Sequence, residues 1–158
     1  MSQIRRVDPK TGNAELVALG VRNSVGGDVD PRSGKYWFTE NARDWISDDL
    51  PSDKLNMISK PGEHFGYPYC HQGNLPDTKF AMGHKCSEFT APVLNLGAHV
   101  APLGMKFYTG DQFPAEYKNN IQCVKRKVRS IAFCASRKAP KPLYVRFLPK
   151  SFQSSLRR

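Results

Sequence analysis

Acidic residues are missing from the last quarter of this sequence. Residues 122–158 contain 11 lysines and arginines but no aspartate or glutamate, whereas residues 1–121 contain 13 basic and 14 acidic residues. The formal net charge of +10 therefore describes neither part of the chain. An electrostatic argument for nucleic-acid binding applies only to the basic tail, and composition gives no such argument for the first 121 residues.

Long apolar runs are missing as well. No stretch approaches the roughly 18 consecutive apolar residues of a membrane span, so we expect no membrane-spanning segment. Residues 1–6 carry no apolar segment, and we expect no secretory signal in this chain. A length of 158 residues with 12 glycines and 12 prolines predicts one domain of short strands and many turns rather than helices.

One turn motif occurs twice, as VDPKTG at residues 7–12 and as VDPRSG at residues 29–34. Aspartate opens such a turn, proline fixes φ, and glycine takes the left-handed position. Apolar runs flank both copies, which predicts two β-hairpins. Their spacing of 22 residues is about half of a propeller blade of roughly 40–45 residues. The spacing favours a β-propeller, and the alternative is two ordinary turns in an unrelated meander.

Polar side chains gather at the predicted strand ends between residues 20 and 70. Arg22 and Asn23 precede one strand, and an aromatic strand ends on Glu40 and Asn41. Residues 42–53, which contain four aspartates, follow as a predicted surface loop. Because loops on a rigid β scaffold often carry function, this stretch is the candidate site.

The four cysteines include no CxxC pair. Cys70 and Cys86 flank an irregular segment rich in glycine, proline and asparagine, and we favour a disulfide between them. Closing such a loop stabilises a fold by about 3 kcal/mol in the chain-entropy model, and it indicates an oxidising compartment. Two alternatives stay open: buried free thiols, or a zinc site with His71 and His84, whose spacing does not match the usual zinc fingers.

Six segments together carry a family resemblance over residues of about 4–121. They are VRNSVG, VDPRSGKYWFTENARDW, DDLPSDKLN, KPGEHFGYPYCH, CSEFTAPVLNLGAHVAPLGMKFYTG and FPAEYKNNI. In these segments the chain resembles the glucose/sorbosone dehydrogenases, which are quinoprotein β-propellers. The resemblance implies an all-β fold in which residues 1–121 form two to three blades of a six-bladed propeller. It also implies oxidation of sugars or related aldehydes and alcohols, with an electron acceptor that it does not specify.

The resemblance further implies two cofactors, pyrroloquinoline quinone (PQQ) and calcium, and a periplasmic or secreted location for the full-length parent. Arg22 and Asn23 stand at family positions that contact the quinone, and His99 stands at a cofactor-facing loop position. The chemistry agrees for Arg22, because a guanidinium suits the carboxylates and quinone oxygens of PQQ. We therefore expect Arg22, Asn23 and His99 to bind the cofactor.

Calcium is implied beside Asn41, Ala42 and Arg43, partly through backbone carbonyls. Carbonyl oxygens are hard ligands of the kind that calcium takes. Asp49 and Asp53 are secondary candidates for supporting calcium, although acidic loops are more often simply solvated. Ala42 departs from the family, which often has glycine at this position.

Two further departures concern packing and catalysis. Gly27 stands where the family usually has an aromatic residue, and loss of that side chain removes packing worth about 3–5 kcal/mol if the position is buried. The family's catalytic histidine, on an earlier blade, has no counterpart in this sequence. Because hydride abstraction needs the base, the quinone and calcium together, we expect a fragment that is inactive alone.

The resemblance is expected to end after Ile121. We interpret the basic tail, residues 122–158, as an irregular non-family segment that is disordered or comes from a shifted reading frame. An alternative function is nucleic-acid binding by this tail, which has aromatic residues among its cations at positions 133, 144, 147 and 152. We do not favour a nucleic-acid partner, because the tail is more simply explained as a non-native extension.

Overall fold

A computed structural model gives the fold of residues 2–44, 46–125, 130–135 and 146–147. These residues form thirteen β-strands joined by turns and by two 3-10 helices, Cys86–Glu88 and Ala115–Tyr117, and they contain no α-helix. Within this part of the chain no helix has the length and apolar character needed to cross a bilayer. The all-β class expected from the short apolar runs and the many turn residues is confirmed.

The strands form three small sheets and one two-stranded ribbon. In chain order they are β1 (Gln3–Val7), β2 (Ala14–Leu19), β3 (Gly27–Val29), β4 (Tyr36–Glu40), β5 (Ser52–Met57), β6 (Glu63–His64), β7 (Cys70–His71), β8 (Leu75–Pro76), β9 (Leu94–Ala98), β10 (Pro102–Phe107), β11 (Ile121–Lys125), β12 (Ser130–Ala135) and β13 (Arg146–Phe147). The first sheet has the order β1-β2-β6, the second β3-β4-β5-β9 and the third β10-β11-β12-β13, while β7 and β8 form the ribbon. Consecutive small sheets, none of them closed, are the arrangement of neighbouring blades in part of a β-propeller.

The second sheet is covered on both faces. Trp37 and Phe38 are neighbours on β4, so their side chains point to opposite faces of the sheet. The Trp37 ring meets Phe107 of the third sheet edge to face at 6.1 Å, and the Phe38 ring meets Phe65, next to the first sheet, at 5.1 Å. Trp37 is 4% exposed and Phe38 is fully buried. Apolar contacts of this size on both faces join the three sheets into one body.

Two core clusters result from this packing. The cluster towards the third sheet contains Trp37, Leu55, Leu96, Met105, Phe107, Ile121 and Cys123. The cluster towards the first sheet contains Ala18, Val21, Phe38, Ile58 and Phe65. The aromatic strand predicted to have both faces covered is therefore the centre of the described structure.

The two repeated turns have the same geometry. In the first, the Asp8 carboxylate accepts the N–H of Lys10 at 2.8 Å and its carbonyl accepts the N–H of Gly12. In the second, Asp30 makes the equivalent bonds two and four residues further on, and its side chain is fully buried. Both closing glycines have positive φ, +73° at Gly12 and +67° at Gly34. The two predicted hairpins, β1–β2 and β3–β4, are confirmed.

Strand β5 begins earlier than the sequence indicates. Ser52 and Asp53 are predicted in the acidic surface loop, residues 42–53, but they belong to β5 and pair with β9. Lys54, the next residue of β5, pairs with both β4 and β9. Asp53 and Lys54 are each only 4% exposed. Polar residues favour a loop when the sequence is considered alone, whereas in the structure the buried charges of Asp53 and Lys54 have partners in neighbouring elements.

The third sheet continues past the expected domain boundary at Ile121. β11 starts at Ile121, and its five residues pair with β10 on one side and with β12 on the other. Residues 126–129, 136–145 and 148–158 lie outside the described part of the chain. The shifted reading frame and the disorder of the tail therefore stay predictions, as does its alternative role in nucleic-acid binding.

Candidate functional site

Three loops that carry predicted site residues lie at the same end of the second sheet, where its strands begin or finish. Neighbouring strands of this sheet are antiparallel, so the end of one strand lies beside the start of the next. Glu40 at the end of β4 pairs with Lys54 near the start of β5, and Ser52 pairs with Ala98 at the end of β9. The first loop is residues 20–26, the second loop is residues 41–51 and the third loop is residues 99–101.

Arg22 joins the first loop to the second. Its Nη1 donates to the carbonyl oxygen of Ala42 at 2.6 Å and to that of Asn41 at 3.2 Å, while Nη2 lies 3.8 Å from the Asp44 carboxylate. The side chain keeps about a quarter of its surface exposed, 27%. A guanidinium is suited to several acceptors at once, because its five N–H donors form a planar fork.

Asn23 and Asn41 hold the same two loops together through two hydrogen bonds to the Asn23 carbonyl. The carbonyl of Asn23 accepts the backbone N–H of Asn41 at 2.9 Å and the side-chain amide of Asn41 at 3.3 Å. The predicted quinone pair and the predicted calcium segment are therefore in direct contact, although 18 residues separate Asn23 from Asn41.

His99 brings the third loop to the second. Its Nε2 lies 2.8 Å from the carbonyl oxygen of Ser47, which makes Nε2 the donor, and its Nδ1 lies 3.6 Å from the Asp44 carboxylate. Asp44 consequently lies between the guanidinium of Arg22 and the imidazole of His99. Of the predicted residues, Arg22, Asn23, Asn41, Ala42 and His99 come together at one place, and Asp44 joins them.

Arg43 turns away from this group. Its guanidinium forms an ion pair with Asp77, which is 3% exposed, and the Nε2 of His71 lies 2.7 Å from the same carboxylate. Burial raises the pKa of Asp77, but hydrogen bonds from His71, from the N–H groups of Lys79 and Phe80, and from Arg43 outweigh it. Together they hold the pKa of this carboxyl well below its usual range. The side chain of Arg43 therefore fastens the second loop to the segment after β8.

A second buried carboxylate supports the first loop from beneath. Glu40 is 1% exposed, and one of its oxygens accepts the backbone N–H of Arg22 at 2.9 Å. The other oxygen accepts the Asn56 amide at 2.7 Å and lies 3.1 Å from the ammonium of Lys54. The sequence marks Glu40 only as a strand end, and its role emerges from the register that places Lys54 opposite it.

Cys70 and Cys86 form a disulfide, with Cα atoms 5.4 Å apart, as the sequence favours. Both sulfurs are used in this bond, His71 is hydrogen-bonded to Asp77 and His84 to Glu88, so the four residues of the zinc alternative are otherwise engaged. Among the described residues no group of three or more His, Cys, Asp or Glu side chains is arranged to hold a metal.

The carbonyls of Asn41 and Ala42 are the candidate ligands for calcium. Both oxygens accept hydrogen bonds from the same Nη1 of Arg22, so they converge on a single point, which this guanidinium nitrogen occupies. Hard oxygens, with the Asp44 carboxylate close by, are the donors that calcium takes. Beside them the first loop lines an open cleft of about 510 Å³, which is within the size of ligand pockets.

The consecutive small sheets define the fold as part of a β-propeller. Residues 5–141 match the family model described as glucose / sorbosone dehydrogenase. The chain belongs to this family. The match continues past Ile121 to residue 141, so it includes part of the basic tail.

Two curated relatives each match more than half of the chain. An uncharacterized protein of Borreliella burgdorferi is 42% identical over 119 residues, which are 75% of this chain and 31% of the relative. A pyrroloquinoline quinone-dependent sugar dehydrogenase of Hypocrea jecorina is 28% identical over 127 residues, covering 60% of this chain and 30% of the relative. The chain thus spans about a third of the length of these relatives.

Solved structures show the same fold at lower identity. A glucose dehydrogenase matches 89% of this chain over 39% of the dehydrogenase's length, with a TM-score of 0.66 and 23% identity. A Trichoderma reesei enzyme of carbohydrate-active family AA12 matches 94% of this chain and 50% of its own, with a TM-score of 0.64 and 23% identity. A calcium structure of the Trichoderma reesei family AA12 enzyme matches 85% of this chain and 44% of its own, with a TM-score of 0.55 and 22% identity.

Proposed function

We propose that this chain is part of a PQQ- and calcium-dependent dehydrogenase that oxidises sugars or related aldehydes and alcohols. The observation that carries the proposal is the meeting of Arg22, the carbonyls of Asn41 and Ala42, and His99 around Asp44. These groups come from three loops that are far apart in sequence, and all three loops lie at one end of the second sheet. Family membership supplies the reaction class.

Each residue has a task in this proposal. The carbonyls of Asn41 and Ala42 would hold calcium in place of the Arg22 nitrogen that they contact in this structure, and Arg22 and Asn23 would bind the carboxylate or quinone oxygens of PQQ in the adjoining cleft. When bound, PQQ supplies the redox chemistry by accepting a hydride equivalent from the substrate. His99 donates through Nε2 to the carbonyl of Ser47, and its Nδ1 faces the Asp44 carboxylate at 3.6 Å.

The chain alone lacks part of what the reaction needs. The sequence has no counterpart of the family's catalytic histidine, and the chain spans only about a third of its curated relatives. We propose that it acts within a larger propeller and is inactive by itself, because the base must stand opposite the quinone. The Cys70–Cys86 disulfide supports a periplasmic or secreted location for the full-length parent.

The test combines a binding and an activity measurement. PQQ is titrated into the 158-residue chain with and without calcium, and its absorbance is followed; we expect a change that requires calcium and is removed by a chelator. Dye reduction with a panel of aldoses is measured on the full-length parent, where activity is expected, and on the chain, where none is expected. A parent that neither binds PQQ nor reduces dye with any sugar would overturn the proposal.

A further inference from the structure

A carboxylate beneath the site bonds to two of the three loops. Asp53, at the second position of β5, is 4% exposed. One of its oxygens accepts the N–H of Ala42 in the second loop at 2.7 Å, and the other accepts the N–H of Ala101 in the third loop at 2.9 Å. The first contact spans 11 residues of sequence and the second spans 48. One side chain therefore fixes two backbone segments that approach the site from opposite sides of β5.

The contact to Ala42 sets the direction of a carbonyl. The N–H of Ala42 and the carbonyl of Asn41 belong to one planar peptide unit, in which they point in opposite directions. Asp53 lies on the N–H side, and the Arg22 guanidinium lies on the carbonyl side. Holding the N–H therefore aims the Asn41 oxygen at the point where the cation is proposed. A charged acceptor at the N–H also polarises this carbonyl, which makes it a better ligand.

The contact to Ala101 restrains an unusual backbone. His99 and Ala101 both have positive φ, +53° and +48°, a region that residues with a Cβ rarely adopt and keep only where the surroundings hold them. Just before this loop the pairing of β5 with β9 is irregular, with the register shifting between Asp53 and Lys54. Such irregularities redirect a side chain, and this one lies at the residue that reaches across to Ala101.

Both carboxylate oxygens of Asp53 are thus engaged with N–H donors, in a buried position. The acidic loop around it has exposed members, such as Asp48 and Asp49, that lack this environment. We propose that Asp53 is a positioning residue, which orients the Asn41 carbonyl for a divalent cation and couples that carbonyl to the loop that carries His99. The identity of the cation as calcium rests on the proposed function, whereas the coupling of the two loops does not.

The experiment compares Asp53→Asn with Asp48→Asn in the 158-residue chain. Asparagine keeps the shape of the side chain but turns an NH₂ group towards one of the two N–H donors, so one contact becomes repulsive. Two quantities are measured: calcium affinity by titration calorimetry, and hydrogen exchange of the Ala42 and Ala101 amides by NMR. We expect Asp53→Asn to bind calcium about 10- to 100-fold more weakly, the usual effect of losing a group that orients a ligand.

The exchange measurement separates positioning from general stability. In Asp53→Asn the Ala42 and Ala101 amides are expected to exchange faster while those in the middle of β4 stay protected, and Asp48→Asn should match the wild type. Loss of protection throughout the sheet, or unchanged calcium affinity in a folded Asp53→Asn chain, would overturn the proposal. If Asp53→Asn does not fold, the test is made on the wild type. There the Ala42 and Ala101 amides are expected to be protected from hydrogen exchange, and rapid exchange of either amide would overturn the proposal.

The design also distinguishes this inference from the proposed function. A wild-type chain that binds no calcium, but whose Ala42 and Ala101 amides respond together to Asp53→Asn, would contradict the calcium site and support the coupling of the loops. Calcium binding that is equally strong in both variants would support the site and contradict the role of Asp53.

Discussion

Arg22 stabilises the site through the shape of its side chain as much as through its charge. The guanidinium reaches two carbonyl oxygens and lies beside the Asp44 carboxylate. A lysine ammonium is a single point of charge on a flexible stem, so it cannot hold these acceptors in one plane. The pair Arg22 and Asn23 was predicted from the family resemblance, and the structure adds that Arg22 already binds the segment proposed for calcium.

Replacing Arg22 by lysine tests this role. In Arg22→Lys we expect PQQ affinity in the presence of calcium to fall about tenfold, because a planar charge-assisted contact is lost while the charge stays. The measurement is a PQQ absorbance titration of the chain. Arg32→Lys, at an exposed arginine of the β3–β4 turn, is the matched control and should bind PQQ as the wild type does. Equal affinity in Arg22→Lys and Arg32→Lys would contradict the role given to Arg22.

Gly27 shows why a glycine in place of the family's aromatic residue need not leave a cavity. A Cβ at this position would overlap the ring and hydroxyl of Tyr36 and lie 2.5 Å from the carbonyl oxygen of Trp37. The Tyr36 ring thus occupies the space beside the glycine, and it stacks on Phe38 with centroids 6.3 Å apart. The expected loss of packing at Gly27 is therefore corrected: a neighbouring aromatic side chain covers the position.

The prediction at Gly27 is a loss of stability on enlarging it. Gly27→Ala should lower the free energy of unfolding by about 1–3 kcal/mol, since the added methyl group forces Tyr36 or the backbone to move. Chemical denaturation of the chain measures the change. Gly104→Ala is the control, because a Cβ there meets nothing within 4 Å, and it should be neutral or slightly stabilising. Equal free energies of unfolding in the two variants would show that Tyr36 can move aside without loss of stability.

At the scale of elements, local chemistry predicts some strands well and others poorly. The two hairpins follow from Asp, Pro and Gly at fixed turn positions, which act within a few residues. The early start of β5 could not be predicted in this way, because Asp53 and Lys54 are tolerated in a strand only through partners on β4, in the second loop and in the third loop. The two-residue strands β6, β7 and β8 have no sequence period at all.

In the candidate site, too, one part can be predicted from the sequence and another part cannot. The gathering of Arg22, Asn41 and His99 follows from where antiparallel strands begin and end, and the family resemblance identifies these positions. The direction of the Arg43 side chain could not be predicted, because it depends on Asp77, which the chain reaches only after the β7–β8 ribbon. Sequence thus indicates which loops meet, whereas side-chain direction depends on partners far along the chain.

The Asp77 carboxyl predicts a dependence of stability on pH. Its pKa is lowered on folding from an ordinary value of 3.8, so its ionised form stabilises the folded state above that value, and this contribution is lost as pH falls below about 4. Thermal unfolding of the wild type should therefore shift to lower temperature between about pH 4 and pH 2. Asp77→Asn should be less stable at pH 7 by about 3 kcal/mol, because Arg43 and His71 lose a charged partner.

The control for this prediction is the exposed aspartate Asp111, which pairs with Lys118 at the surface. Asp111→Asn should retain the stability of the wild type and its dependence on pH, since exposed ion pairs contribute little. An Asp77→Asn chain whose unfolding temperature falls with acid as steeply as that of the wild type would show that other carboxyls cause the dependence.

At the scale of the whole molecule, the sheets have open edges. In the described residues β1 pairs only with β2, and its last residue, Val7, is 56% exposed. The chain spans about a third of its curated relatives, so further blades are expected to cover such edges in a longer protein. An uncovered strand offers its N–H and carbonyl groups to other chains.

We therefore expect the isolated chain to self-associate as its concentration rises, and Val7→Lys to reduce this association. Sedimentation velocity over a range of concentrations measures it. Met82→Lys is the control: Met82 is 79% exposed and lies in a turn, so the substitution adds the same charge away from any strand edge. If both variants reduce association equally, added charge is the cause and the β1 edge is not the contact.

The second Asp-Pro turn has a practical consequence, because it closes β3 and β4 at the end of the sheet remote from the three loops. Residues 31–35 are exposed there, and the bonds that shape the turn come from the buried side chain and carbonyl of Asp30. A linker attached at this bend would anchor the protein to a solid support with its cleft directed outward. Immobilised in that orientation, the chain would present the residues proposed to hold the cation and the quinone to the solution.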